Sequence, residues 1–221
     1  LLNPGKQGYD LLTDETNAKN NLVVASAYEV LNYTSPNSVT LSNFSNFGPT
    51  DDGRVKPDIT AKGHNVYSAT NYSNTAYDYY DGTSMAAPSI AGGITLIQQY
   101  AYQQNNAYYR SATIRALVAH TAYKAGSEGN PNYRYGWGVM DVATAIQTVD
   151  ETNTSTRVDE LVLRQGEEYM TTIVADGQTA LIGTIAWTDM PGTTNSGPNN
   201  EDSRSPRLVN DLDLRLVATD G

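Results

Sequence analysis

The chain has 221 residues, of which 24 are acidic and 14 are basic, and its net charge is −10. A chain of this length can bury a substantial core, either as one large domain or as two small ones. The acidic balance and the lack of clustered Lys and Arg argue against a nucleic-acid partner. The absence of cysteine excludes disulfides, thiolate metal sites and cysteine nucleophiles.

The first part of the chain predicts short strands separated by polar turns. Residues 1–20 are polar and turn-rich, and are predicted to form a surface loop. Residues 22–27 form an apolar run typical of a buried parallel strand, and residues 39–41 and 66–69 are further strand candidates.

Three helices are predicted next, from residue 83 or 84 to 103, from 111 to 123, and from 141 to 149. Residues 85–97 are apolar on nearly every side, which predicts a first helix buried all round. Pro88 and the Gly92-Gly93 pair interrupt this run, so a core helix is favoured over a membrane span. Strands that alternate with helices indicate an α/β layered domain.

The pattern changes after residue 150. Four strand-like stretches are separated by loops rich in Gly, Asn, Pro and Asp, and they predict a β-sandwich or jelly roll: 161–163, 169–175, 180–187 and 208–217. The net charge is −2 before residue 150 and −8 from there on. We therefore expect two domains, at 1–150 and 158–221, joined by a linker between them.

Both ends of the chain have the character of internal sequence. The chain begins Leu-Leu-Asn-Pro, without Met or a signal peptide, and it stops directly after the apolar run that ends at residue 217. We expect it to be part of a longer polypeptide, with a complete small protein as the alternative.

The most specific motif is Gly-Thr-Ser-Met-Ala-Ala-Pro at residues 82–88. It places Ser84 at the start of the first predicted helix, where unpaired N–H groups and the helix dipole favour negative charge. Taken alone, a Ser or Thr before an apolar run is most often just an N-cap. Ala86 and Ala87 exclude the G-x-S-x-G and S-x-x-K serine motifs.

This heptapeptide resembles the serine motif of the subtilisin-like serine peptidases (subtilases, peptidase family S8). Three further segments, at 21–27, 43–59 and 135–145, are similar to subtilase segments in the same order. The resemblance implies the C-terminal part of a three-layer, parallel-sheet catalytic domain. Residues 186–191 and 208–214 resemble the β-domain behind certain bacterial subtilases, akin to the P domain of proprotein convertases, although the second segment also alternates like any half-buried strand.

The resemblance assigns roles to three adjacent residues. Ser84 is the acyl-forming nucleophile and its N–H is one oxyanion donor. Thr83 supports the oxyanion site, and Met85 matches the oxidation-prone methionine beside the nucleophile. In subtilases the Asp motif and the His motif lie upstream of the equivalent of Leu1, and the motif of the oxyanion Asn precedes the strand at Leu22, so all three are expected to be missing from this chain. We therefore expect an upstream segment to supply them, and we expect the chain alone to be inactive.

The histidines and aspartates of the chain do not fill these missing places. His64 and His120 occupy positions that the family does not use, and a structural role is expected for both. Ser89 and Lys62 stand where the family commonly has His and Pro. The aspartates near the motif match no acid position in the family: Asp51, Asp52, Asp58, Asp78 and Asp81.

Catalysis in this family requires no cofactor, and a structural calcium is the one metal to weigh. The oxygen-rich residues concentrate late in the chain: Asn195, Asn199, Asn200, Glu201, Asp202, Asp211 and Asp213. Asp211 and Asp213 are the weak candidates for ligands, because loops of this composition are more commonly plain turns. Tyr72, Tyr77, Tyr79 and Tyr80 either border the substrate cleft or pack on the surface.

The sequence therefore predicts a serine endopeptidase that hydrolyses polypeptides through an acyl-enzyme on Ser84. Its expected partners are the polypeptide substrate and the upstream Asp- and His-bearing segment. No transmembrane segment is predicted, and the family implies a secreted, cell-surface or periplasmic location. The alternatives are a non-catalytic binding or scaffold module with the subtilase fold, and a different serine hydrolase such as an esterase, which the spacing around Ser84 disfavours.

Overall fold

The computed structural model describes residues 11–194 and 203–218 and has a mixed α/β architecture, as predicted. Two short 3-10 turns, Asp14–Asn17 and Pro36–Ser38, accompany the regular elements. The strands are β1 (Val24–Ala27), β2 (Ile59–Lys62), β3 (Val66–Ala69) and β4 (Tyr77–Tyr80), and the helices are α1 (Thr83–Asn105), α2 (Ser111–Thr121) and α3 (Val142–Asp150).

A small parallel sheet forms the centre of the fold. β1 pairs with β2 in a register that runs from Val24 opposite Ile59 to Ala27 opposite Lys62. The chain after α2 lies along the other edge of β2, where the Thr60 N–H donates to the Gly138 carbonyl at 2.8 Å. Segments that are distant in sequence therefore meet around β2.

Helix α1 buries one stripe against this sheet and against α3. Its buried residues recur at helical spacing: Ala86, Ile90, Gly93, Ile97 and Ala101. A Cβ on Gly93 would lie 2.8 Å from Val142 Cγ2, so glycine allows α1 to approach the start of α3 closely. Leu96, on the opposite face, is 53% exposed. The prediction of a helix buried all round is therefore wrong, because the described residues cover only one side of α1.

The other two helices close the core and lie near their predicted positions. α2 ends before residue 123, because the Tyr123 N–H donates to the Val139 carbonyl at 2.9 Å and leaves the helix. The Asp141 carboxylate accepts the Thr144 N–H at 3.0 Å and so caps α3. Ile59, Ile97 and Val118 are among the largest fully buried side chains.

The strand predictions were less complete. β1 and β3 lie where strands were expected, but residues 39–41 make only one isolated bridge, between Leu41 and Ala27. The 3-10 turn Pro36–Ser38 leads directly into this segment. β2 and β4 were not predicted as strands.

The C-terminal part of the chain is extended and largely exposed. Within residues 158–194 and 203–218, the four stretches predicted as strands form no hydrogen-bonded ladder. Val174 is 92% exposed and Met170 is 86% exposed. The β-sandwich and the domain boundary therefore stay predictions.

This C-terminal part contacts the first part at a buried carboxylate, Asp189, which is 4% exposed. Its Oδ2 lies 2.5 Å from Lys19 Nζ, and its backbone N–H and carbonyl both bond the Asn20 side chain. The N–H groups of Val209 and Asn210 donate to the same carboxylate at 3.0 and 2.9 Å. We call these five residues the Asp189 junction.

Of the helices in the described ranges, none has the length and hydropathy needed to cross a membrane.

Candidate active site

Ser84 lies in the first turn of α1, with its side chain exposed. The N-cap is Gly82, so Ser84 lies two residues inside the helix and does not cap it. Gly82 has φ +156°, a conformation that side-chain-bearing residues rarely adopt. The backbone conformation at the N-cap therefore explains why the motif has glycine at position 82. The Ser84 hydroxyl has no capping role.

The helix start leaves donors beside the Ser84 hydroxyl. The Gly82 carbonyl accepts the N–H groups of Met85 at 3.0 Å and Ala86 at 3.3 Å. The N–H groups of Thr83 and Ser84 have no hydrogen-bond partner within residues 11–194 and 203–218. Such donors, at the positive end of a helix dipole, can stabilise an oxyanion. Thr83 is exposed and Met85 is partly buried.

Gly63, which follows β2, fixes the position of this helix start. Its carbonyl accepts the Gly82 N–H at 2.8 Å. A Cβ on Gly63 would lie 2.5 Å from the Gly82 carbonyl oxygen and 2.5 Å from Ser26 Oγ. The sequence did not single out Gly63, because a glycine after a strand signals close backbone approach without identifying the partner.

His64 lies next to this contact and interacts with its neighbours there. Its Nδ1 lies 3.7 Å from Asp81 Oδ1, and its ring stacks on Tyr28 with centroids 4.2 Å apart. Phe44 lies on the same cluster, 6.4 Å from the His64 ring. No hydrogen bond joins His64 to Ser84 in the described part of the chain. A structural role for His64 stays the prediction.

The second histidine, His120, lies on α2 and contacts the C-terminal part. Its Nδ1 lies 2.9 Å from Thr184 Oγ1. Desolvation lowers the pKa of His120, and the nearby Lys124 charge lowers that pKa further. This environment favours the neutral ring, and the contact with Thr184 agrees with the structural role expected for His120.

The aspartates near the motif have partners of their own. Asp58 Oδ2 pairs with Lys56 Nζ at 2.6 Å and accepts the Val23 N–H at 2.7 Å. Asp52 pairs with Arg54 at 2.8 Å. Burial raises the pKa of Asp52, but the hydrogen bonds from Arg54 and Thr50 outweigh burial and hold it below its usual value. These contacts brace the loop before β2.

The weak calcium candidates, Asp211 and Asp213, are both exposed. Asp213 pairs with Arg215 at 3.1 Å, and this guanidinium would have to leave before a cation could bind. Across the described ranges, no group of three acidic or histidine side chains is placed to hold a metal. The other candidates, Asn195, Asn199, Asn200, Glu201 and Asp202, lie outside the described residues.

Comparison with known proteins gives this geometry a family context. The PII-type proteinase of Lactococcus lactis subsp. cremoris is 37% identical over 135 residues, which is 54% of this chain and 7% of that protein. The C5a peptidase of Streptococcus pyogenes is 33% identical over 129 residues, which is 53% of this chain and 11% of that protein. The chain thus spans only a small part of these relatives.

A solved protease structure and a family profile are also similar to this chain. The CspB protease of Clostridium perfringens is 25% identical, with a TM-score of 0.55 over 66% of this chain and 30% of its own. The profile of the subtilase family of peptidases matches residues 3–138, which is more than half of the chain and includes the Ser84 motif. We conclude that this chain belongs to the subtilase family.

Proposed function

We propose that this chain supplies the nucleophile of a subtilisin-type serine endopeptidase. The observation that carries the proposal is the exposed Ser84 in the first turn of α1, next to unpartnered N–H groups, in a chain of the subtilase family. The relatives are named proteinases and peptidases, which supports a polypeptide substrate.

In the proposed reaction, Ser84 Oγ attacks the carbonyl carbon of a peptide bond while a histidine base takes its proton. The backbone N–H of Ser84 donates to the resulting oxyanion, with Thr83 beside it. The tetrahedral intermediate expels the amine, which takes the proton back from the histidine, and an acyl-enzyme remains. Water then attacks the acyl carbon by the same route, releases the acid and regenerates the Ser84 hydroxyl.

We propose that an upstream segment provides the histidine, its orienting aspartate and the oxyanion asparagine. His64 and His120 contact Asp81 and Thr184 rather than Ser84, which supports this division. The uncovered face of α1 also supports it. Ala91 and Leu96 are exposed there, and a Cβ on Gly92 would meet none of the described residues within 4 Å. An apolar helix face of this kind can accept a further packed segment.

The test compares the 221-residue chain with the same chain joined to its upstream Asp- and His-bearing segment. A fluorophosphonate probe should label Ser84 only when that segment is present. In the joined protein, Ser84→Ala should abolish labelling and lower the hydrolysis rate of a peptide substrate by at least ~10³-fold.

Ser89→Ala is the matched control. Ser89 lies on the same helix, is exposed, and its Oγ donates to the Met85 carbonyl at 3.2 Å. We expect its labelling and hydrolysis rate to match those of the unaltered protein. Hydrolysis by the purified chain alone that disappears in Ser84→Ala would contradict the need for an upstream segment.

The second candidate function is a non-catalytic module with the subtilase fold. The observation that favours it is the lack of a hydrogen-bonded base at Ser84 in the described residues. If the joined protein carries its Asp and His but resists the probe, this candidate replaces the first.

Three further features belong to the same proposal and rest on the family resemblance. We propose a P-domain-like β-domain after residue 158, a structural calcium near Asp211 and Asp213 once Arg215 has moved, and a secreted, cell-surface or periplasmic location. None of these features enters the chemical steps at Ser84.

A further inference from the structure

β3 and β4 form a two-stranded antiparallel ribbon with an aromatic face, here called the tyrosine ribbon (residues 66–80). Tyr67 lies opposite Tyr79, with ring centroids 4.8 Å apart. Tyr77 lies diagonally across, 5.5 Å from Tyr67. Alternation along a strand places Tyr77 and Tyr79 on one side, so these three rings form one continuous surface.

This surface is open to solvent. Tyr67, Tyr77 and Tyr79 are each more than half exposed, at 59%, 57% and 58%. The reverse side offers no core either, because every residue of β4 is exposed, and the hydroxyls of Tyr72 and Tyr80 bond one another there at 2.8 Å. Clustered exposed aromatic side chains mark interaction surfaces, since tyrosine offers a large contact area at small entropic cost.

The charged residues within the ribbon and in the stretch that follows it are acidic. Residues 63–109 contain Asp78 and Asp81 and no Lys or Arg. Both carboxylates are exposed. A two-stranded ribbon is a single layer, so Asp78 acts on the aromatic side within the ~10 Å Debye length at 0.1 M salt. Tyrosine faces and carboxylates both attract Lys and Arg side chains.

The ribbon begins and ends beside the nucleophile. The Gly82–Gly63 hydrogen bond and the pairing of Val66 with Tyr80 hold its base against the start of α1. Tyr79 precedes Ser84 by five residues, so their Cα atoms are at most about 18 Å apart. An extended polypeptide whose peptide bond lies at Ser84 needs only about five further residues to reach the ribbon.

We propose that the face formed by Tyr67, Tyr77 and Tyr79 binds a Lys- or Arg-bearing segment of the polypeptide substrate while another part of that substrate lies at Ser84. The proposal deepens the proposed function and rests on it for the fate of the substrate. The binding step itself can be measured without catalysis.

The experiment uses the 221-residue chain with Ser84→Ala and follows the anisotropy of two labelled 12-residue peptides. One peptide carries two Arg residues, and the other has Gln in their place. We expect the Arg peptide to bind more tightly than the Gln peptide. The double variant Tyr67→Thr and Tyr79→Thr should weaken Arg-peptide binding by roughly tenfold. Threonine keeps the strand propensity of the ribbon. Asp78→Asn should weaken binding by roughly two- to fivefold, less at high salt.

Tyr108→Thr is the matched control. Tyr108 is 66% exposed and stacks on Tyr102 with centroids 4.8 Å apart, so the chain has a second exposed aromatic pair outside the ribbon. Its replacement should leave Arg-peptide binding unchanged. Tyr77→Thr, at the far end of the ribbon, provides a second and milder ribbon variant if the double variant loses its circular-dichroism signature.

Three outcomes would overturn the proposal. The first is equal binding of the Arg and Gln peptides, and the second is an equal loss of Arg-peptide binding in the ribbon and Tyr108 variants. The third is a dimer of the chain that dissociates when Tyr67 and Tyr79 are replaced, because a second copy of the chain would then occupy the tyrosine face. Fluorophosphonate labelling of the joined protein separates the two hypotheses. Lost labelling with retained Arg-peptide binding would contradict the proposed function and leave the ribbon site standing.

Discussion

Residues 24–150 and residues 158–218 both contain many apolar side chains, but they bury them very differently. In the first region, Ile97 and Ile59 are fully buried between α1 and the β1–β2 sheet. In the second region, as far as it is described, Val162 is 75% exposed and Val174 is 92% exposed. The difference lies in backbone pairing across long sequence distances, which the first region has around β2. An apolar pattern therefore needs a partnered backbone before it yields a core.

The second region also differs in how it is held. Its contact with the first region at the Asp189 junction is polar, with one carboxylate that accepts from an ammonium and from backbone N–H groups. Charge-assisted bonds of this kind are directional and strong when buried. The comparison thus sets a packed core against a polar attachment, and four experiments test it, in decreasing order of expected effect.

The largest effect should come from Gly136→Ala, compared with Gly177→Ala. Both glycines have positive φ, +62° and +70°, so the conformational cost of the substitution, about 1 kcal/mol, is similar in each. At Gly136, however, the new Cβ would lie 2.3 Å from the Asp58 carbonyl oxygen, whereas at Gly177 it would meet no atom of the described residues within 4 Å. We expect a loss above about 4 kcal/mol at Gly136 and about 1 kcal/mol at Gly177, measured by urea unfolding. Equal losses would show that the first region is no better packed at this point than the second.

The next largest effect should come from Asp189→Asn, which removes the charge opposite Lys19. We expect the C-terminal part to open more readily by about 3 kcal/mol, because the Lys19 ammonium, whose side chain is only 11% exposed, then lacks its counter-charge. Limited proteolysis after residue 158 measures this opening. Asp213→Asn is the matched control, since Asp213 and Arg215 are both more than three-quarters exposed, and its digestion rate should not change. Cleavage at the unaltered rate in Asp189→Asn would mean that other contacts hold the region.

The same junction should depend on pH. Burial raises the pKa of Asp189, but hydrogen bonds from Lys19, Val209 and Asn210 outweigh burial and hold the pKa well below its usual value. A carboxyl whose folded pKa is depressed stabilises the fold above its unfolded pKa of about 3.9 and loses that contribution as the pH falls through the folded value. Proteolysis after residue 158 by an acid-active protease should therefore accelerate below about pH 4, and Asp189→Asn should remove the acceleration.

The smallest effect should occur at His120. Because desolvation and Lys124 lower its pKa, the folded chain takes up the proton less readily than the unfolded chain. Its contribution is therefore complete above the unfolded pKa of about 6.5 and is lost as the pH falls through the folded value. An NMR titration should place the His120 pKa below 6.5, and Thr184→Val should loosen the contact at neutral pH. A His120 pKa at or above 6.5 would contradict the desolvated environment.

The sequence predicted the helices best. All three lie within two residues of their predicted ends, since 3–4 periodicity and end signals such as Asp141 are local. The position of Ser84 at the start of α1 was likewise predicted from a local motif, while its role as nucleophile stays a prediction. The all-round burial of α1 was wrong, because burial depends on neighbours that the sequence of a helix does not reveal.

What the sequence could not predict depends on long-range pairing. β2 has a single large apolar residue, Ile59, and is a strand because β1 and residues 138–140 lie on its two edges. β4 is a strand because β3 pairs with it, although its Tyr-Asp-Tyr-Tyr sequence has no apolar alternation. Gly63 was missed for the same reason, since its partner Gly82 meets it only in the folded chain.

The contact between Gly63 and Gly82 also determines where this protein can change in length. It joins the end of the central sheet to the start of α1 by one hydrogen bond, from the Gly82 N–H to the Gly63 carbonyl, at the base of the tyrosine ribbon. The tip of the ribbon, residues 70–76, lies beyond that point and is exposed except at residue 70 and residue 76. Insertions and deletions at the tip can therefore lengthen or shorten the ribbon while the start of α1, with Ser84, keeps its place.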